Sequence, residues 1–403
     1  MYQAKSVAMI YGMIHFLVDF CCAFFMFSLS SKVEDFYIGF LIYNFLAFAM
    51  QMPVGLLADR VKRNAFTAAL GCLLISGALS LLWTCPEREG ILWIGLGLAG
   101  MGNCLFHVGG GIEVMKESRD KAAPLGIFVS PGAIGIFLGT IVGRSGVALT
   151  GVFTCLLAGM IAWLMRRGRR QYYPSEQLMV TESAGVGVEA YGLPAAAAGA
   201  MICFFLVVVL RSYLGMIAAF PWKDSVWDGI LTLLAVFGGK LAGGFAADKL
   251  GIRPAAIGTL LTASILFLLS DYMVAALPAL FLFNMSMPLT LFLAAKVLHR
   301  QNGFAFGILT FAIFIGFLPA YAGASLCNSR ILSGLSVLSL LFLGVGATLY
   351  QRVGYETEEE AADMPEKDAA GMLERESADM LEEEKAGIPE KADVGNKEAV
   401  KDE

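Results

Sequence analysis

Stretches of about twenty apolar residues recur along this chain, separated by short polar connections. Each is long enough to cross the roughly 30 Å of hydrocarbon in a bilayer. Inside that layer no water satisfies the backbone, so a spanning segment must be a helix or a strand of a closed barrel. Barrel strands alternate apolar and polar residues, and that alternation is absent here. Charged residues make up only 16% of the chain, well under the roughly 25% of a soluble domain. The expected fold is an all-α membrane protein.

Twelve candidate spans can be placed, at about 6–30, 36–57, 64–84, 90–112, 123–143, 146–166, 195–219, 227–247, 253–272, 274–298, 303–323 and 331–351. The run from Val7 to Leu29 is longer than a signal-peptide core and only Lys5 precedes it, so it reads as a retained first span. The longest internal connection falls after the sixth span. It divides the chain into a first bundle at 1–166, a linker at 167–194 and a second bundle at 195–352. The two bundles of six are expected to be pseudo-symmetric.

Residues 353–403 hold 18 of the 34 acidic residues and only 6 of the 29 basic ones. Such a segment has too little apolar surface to form a core and is expected to be a disordered, solvated tail. The remaining positive charge is concentrated in alternate connections. Arg60, Lys62, Arg63, Lys116 and Arg166 to Arg170 lie on one side, and the few opposite them are Lys32, Arg88, Arg144, Lys223 and Arg330. The positive-inside bias then places both termini in the cytoplasm of a cell (inner) membrane. The cluster Arg166-Arg167-Gly168-Arg169-Arg170 is expected to lie against anionic headgroups.

A short polar phrase occurs twice. Gly55-Leu56-Leu57-Ala58-Asp59-Arg60 follows the second span, and Gly244-Phe245-Ala246-Ala247-Asp248-Lys249 follows the eighth. The glycines let helices approach closely, and each Asp sits where a carboxylate can face a helix N-terminus. This duplicated Gly-x-x-x-Asp-(Arg/Lys) hinge, in a six-plus-six chain, resembles the major facilitator superfamily. The resemblance implies a secondary transporter working by alternating access. It also implies a gating latch made of Gly55, Asp59 and Arg60, with Gly244, Asp248 and Lys249 as its counterpart.

Ionisable groups inside a span cost about 2.5 to 3.5 kcal/mol at the bilayer centre, so each needs a reason. His15 and Asp19 are four residues apart in the first span, and Asn103 and His107 are four apart in the fourth. Each pair shares a helix face. An imidazole beside a carboxylate can hold one proton between them, which makes His15, Asp19 and His107 candidates for proton coupling. A purely structural hydrogen bond is the alternative. The phrases His15-Phe16-Leu17-Val18-Asp19 and Phe106-His107 resemble those of the fosmidomycin resistance branch of the superfamily, which implies proton-coupled efflux of a small organic solute.

Arg211 lies deep in the seventh span and keeps its charge, so it needs an anion: Asp19 or an anionic solute. Lys240, nearer an end, is expected to snorkel. Asn103, Tyr43, Asn44 and Asn284 are further candidates to touch a solute. Pro278, Pro288 and Pro319 are expected to kink spans ten and eleven. No phosphate-binding Gly-x-x-x-x-Gly-Lys-(Ser/Thr) loop occurs, nor a nucleophile constellation. No cofactor, resident metal, enzymatic activity or nucleic-acid partner is expected. The expected partners are a small solute, protons and the lipid bilayer, with the protein monomeric. Uptake of an organic anion, or a non-transporting membrane sensor, are the competing functions.

Overall fold

A computed structural model describes residues 2–147, 149–172, 194–325 and 328–363. These residues form helices connected by short turns. In the first half α1 is Tyr2–Ser28, α2 Phe36–Asn44, α3 Gln51–Val61, α4 Asn64–Thr84, α5 Glu89–Ser118, α6 Ala123–Val129, α7 Pro131–Arg144 and α8 Thr150–Tyr172. In the second half α9 is Ala195–Ile217, α10 Val226–Leu250, α11 Ile252–Phe267, α12 Met273–Asn284, α13 Ser286–Val297, α14 Asn302–Tyr321 and α15 Ser329–Asp363. Among the described residues ten helical segments are long and apolar enough to cross a bilayer. With α8 and the shorter apolar α11 they make the twelve crossings, in two bundles, of a multi-pass membrane protein.

Three crossings are built from broken helices, and a proline explains each break. Pro53 cannot donate to the carbonyl of Ala49, and the turn before it widens into a π-turn at Phe45–Ala49, between α2 and α3. Pro131 begins α7 directly after Ser130, which ends α6. Pro288 removes a donor to Asn284, and the tenth crossing breaks at Met285. Pro278 and Pro319, by contrast, lie inside α12 and α14.

The bundles meet along two helix pairs. The second crossing runs against α14, with Phe40 on Phe317 (ring centroids 5.7 Å apart) and Phe45 on Phe314 (5.8 Å). The pair formed by α6 and α7 runs against α10 in the same way. Exchanging the two halves turns one pair into the other. At the end carrying most Lys and Arg, Gly55 and Gly303 cross with no room for a Cβ on either side. A side chain there would hold the two backbones apart.

Two sequence expectations change here. The sixth crossing does not stop at 166: α8 continues to Tyr172, through the arginine cluster. Arg167 turns inward rather than toward headgroups. Its Nε donates to Glu113 Oε2 and its Nη2 to Glu117 Oε1, both at 3.1 Å. Glu113 is buried, and a paired cation offsets the cost of that burial. Arg166, Arg169 and Arg170 remain exposed. Most of the linker, from 173 to 193, and the acidic tail from 364 onward lie outside the described residues.

Candidate functional site

Midway along the first bundle, α1, α5 and α7 enclose a cluster of polar groups. His15 and Asp19 stand on one face of α1, as their i, i+4 spacing requires. His15 Nε2 lies 3.0 Å from Asp19 Oδ2. His107 comes in from α5, with its Nε2 2.9 Å from His15 Nε2 and 3.6 Å from Asp19 Oδ1. Asn103 Nδ2 donates to Asp19 Oδ1 at 3.2 Å. His15, Asp19 and His107 are each 7% exposed.

The far side of each imidazole is committed. His15 Nδ1 meets the carbonyl oxygen of Phe128 at 2.8 Å, and His107 Nδ1 meets that of Asn103 at 2.9 Å. A carbonyl only accepts, so both Nδ1 atoms carry the hydrogen. In neutral rings the two Nε2 atoms would then be facing lone pairs. A 2.9 Å contact between them needs one shared proton, and a proton on His15 Nε2 also serves the Asp19 carboxylate. With a proton on His15 Nε2, the contacts to His107 Nε2 and to Asp19 Oδ2 are both hydrogen bonds.

The Ser130-Pro131 break contributes to this arrangement. It ends α6 beside Phe128, whose carbonyl then bonds a side chain from α1. Just after the break, Gly132 lies against the cluster. A Cβ there would collide with Asp19 Oδ2 and His15 Nε2.

The three donor atoms lie within 4.8 Å of one another, so the sequence expectation that no metal-type cluster forms needs amending. Their spacing nevertheless suits a proton better. Two ligands on a tetrahedral ion at about 2.05 Å would stand about 3.3 Å apart, against the 2.9 and 3.0 Å seen here.

The remaining candidates are placed differently. Asn103 donates to Asp19 through Nδ2, while its buried Oδ1 has no hydrogen-bond partner. Asn44 and Asn284 are buried, and each Nδ2 makes one bond to its own helix, at Phe40 and Leu280. Tyr43 is buried one residue before Asn44. Arg211 does not pair with Asp19, because that carboxylate is occupied by the histidines and Asn103. It is 8% exposed, and its Nη1 has no hydrogen-bond partner. Lys240 does not snorkel. It is partly buried, and its electrostatic neighbours are Arg211 and Asp19.

Both hinge carboxylates reach across to the other bundle. Asp59 accepts from the backbone N–H groups of Gly303 at 2.7 Å and Phe304 at 2.8 Å, at the start of α14. Asp248 accepts from those of Ala122 at 2.7 Å and Ala123 at 3.2 Å, at the start of α6. Arg60 and Lys249 take no part in these bonds and are exposed. Backbone donors at a helix N-terminus already satisfy a carboxylate, so an adjacent cation is not needed there. An ion pair from Lys296 to Asp120 joins the bundles at the same end.

Sequence reasoning missed the Phe128 carbonyl and the role of Gly132 as a spacer. The Ser130-Pro131-Gly132 phrase was the available signal, since a proline frees carbonyls in the preceding turn.

No family model matches the chain, and no curated protein matches it. Solved structures do. A variant of the E. coli fucose:proton symporter FucP superposes with a TM-score of 0.55 at 14% identity, covering 85% of this chain and 98% of that one. FucP, a major facilitator superfamily transporter, in the outward conformation gives 0.56 at 13% identity, covering 85% and 99%. In its two six-crossing bundles and their order, this chain has the major facilitator fold.

Proposed function

We propose that the protein is a secondary transporter that moves a small organic solute by alternating access and couples the movement to protons at His15, Asp19 and His107. The observation that carries this reading is the 2.9 Å contact between two imidazole Nε2 atoms whose Nδ1 atoms are both tied to carbonyls. Such a cluster gains or loses a proton by changing its internal hydrogen bonds. It lies inside the first bundle, beside the α6–α7 crossing that packs against α10 of the second bundle. The fucose:proton symporter of the same fold adds support by analogy.

Asp59 and Asp248 act in this scheme as paired latches that hold the basic, cytoplasmic end closed. Opening that end separates each carboxylate from its two backbone donors. Efflux is the direction favoured, on the likeness of the His-x-x-x-Asp and Phe-His phrases to the fosmidomycin resistance branch.

The test is flux in proteoliposomes with an imposed pH gradient. Asp19→Asn should remove the dependence of flux on the gradient while protein yield and monodispersity stay unchanged. Gradient-driven flux equal to that of the parent protein would refute the coupling role.

A further inference from the structure

Arg211 and Lys240 are two cations inside the second bundle, in electrostatic reach of each other. Arg211 is 8% exposed with Nη1 unpartnered, and Lys240 makes no ion pair among the described residues. Among the described residues, the anion in electrostatic reach of Lys240 is Asp19. That carboxylate is already in contact with His15, His107 and Asn103. Two like charges in a low-dielectric interior repel, and an unpaired buried ion is costly.

The orientation of Arg211 is fixed by its neighbours. Ser212 Oγ donates to the carbonyl of Ile313 at 2.7 Å. Gly316 of α14 packs against Val209, Ser212 and Tyr213 so closely that a Cβ would collide. The helix therefore cannot rotate to bring the guanidinium to lipid or water. A planar guanidinium offers two parallel N–H donors, which match a carboxylate or phosphonate, while an ammonium acts as a point charge.

We infer that Arg211 and Lys240 form the binding site for the solute's anionic group, so the transported solute is a small organic carboxylate or phosphonate. A dianion would balance both cations. The inference rests on the transporter reading above, and it names the solute class that reading leaves open.

Thermal melting of the purified full-length protein tests it, with succinate, methylphosphonate and L-fucose as probes. Succinate or methylphosphonate should raise the melting temperature of the parent protein, and which of them does so separates the two anion types. Arg211→Gln should weaken the apparent affinity at least about tenfold, and Arg211→Lys by less, since one charge is kept but the fork is lost. Without any probe, Arg211→Gln and Lys240→Gln should melt at or above the parent temperature, because each removes an unpaired charge.

Three results would overturn the inference. One is a clear drop in the melting temperature of probe-free Arg211→Gln, which would make Arg211 a structural ion. Another is stabilisation by L-fucose alone, equal in parent and Arg211→Gln. The third is no shift with either anion. These readings need no pH gradient, so they stand or fall separately from the Asp19→Asn flux test.

Discussion

His15 and His107 meet Nε2 to Nε2 at 2.9 Å, and each ring is pinned from behind by a backbone carbonyl. Neither imidazole can flip to the other tautomer without giving up that bond. In the proposed coupling, proton movement at the cluster is thereby confined to the Nε2 atoms and the Asp19 carboxylate. Ring orientation and tautomer are set by one small set of contacts.

Gly132 sets the room available to that cluster. Gly132→Ala should force Asp19 or His15 out of place and lower proton-coupled flux at least about tenfold, the equivalent of about 1.4 kcal/mol in the rate-limiting barrier. Gly159→Ala is the control: nothing lies within 4 Å of a Cβ there. It should leave flux unchanged and stabilise the helix by up to about 1 kcal/mol. Equal flux in the two variants would show that Gly132 is not a spacer.

Asp59 and Asp248 each cap a helix that belongs to the other bundle. Asp59→Ala or Asp248→Ala should each weaken closure at the basic end by about 0.5 to 2 kcal/mol, the usual worth of a cap. Thiol labelling of a cysteine introduced at that end should therefore speed up by about two- to thirtyfold. The variant Arg60→Ala should label at the parent rate, because the arginine makes none of these bonds.

Asp120 is held below the usual carboxylate range by its hydrogen bond to Lys296 and by that ammonium's charge. A depressed carboxylate contributes stability above its unfolded value, about 3.9, and loses it as pH falls through the lower folded value. The difference in melting temperature between the parent and Asp120→Asn should thus be constant from pH 7 to pH 5. It should shrink toward zero as pH falls below that unfolded value. With the Asp120 side chain 87% exposed, the pair is screened by salt and worth at most about 1 kcal/mol. A difference that grows on acidification would contradict this assignment.

Arg167 compensates a buried carboxylate. Arg167→Gln removes the Nε donor to Glu113 and the Nη2 donor to Glu117, and should destabilise the first bundle by about 1 to 3 kcal/mol. Arg167→Gln combined with Glu113→Gln should cost less than the two single losses added together, since the two side chains share one contact. Melting temperatures of the parent, the two single variants and the double variant form the cycle that checks it.

The helical crossings were legible because a bilayer leaves a chain few ways to satisfy its backbone. The two-bundle plan was legible because the Asp59 and Asp248 phrases repeat. The facing of His15 with Asp19, and of Asn103 with His107, follows from helical spacing alone. The spacing does not say which helix faces which, so the Nε2 contact and the Phe128 carbonyl were out of reach. Arg167 was misread for a related reason. Its neighbours in sequence are exposed arginines, and the buried Glu113 that draws it inward is 54 positions away. Lys240 was misread because position along a span sets reach to water but not the direction of the side chain.

Each half of the molecule holds the first turn of a helix from the other, through Asp59 at Gly303 and Asp248 at Ala122. Neither half can swing away while keeping its own grip, since the same displacement strips both. Release at this end is therefore concerted: four N–H groups lose their acceptors together, and a conformer with one clasp undone gains little freedom. In the proposed cycle this reciprocity suppresses partial leaks, together with the Lys296–Asp120 pair at the same end.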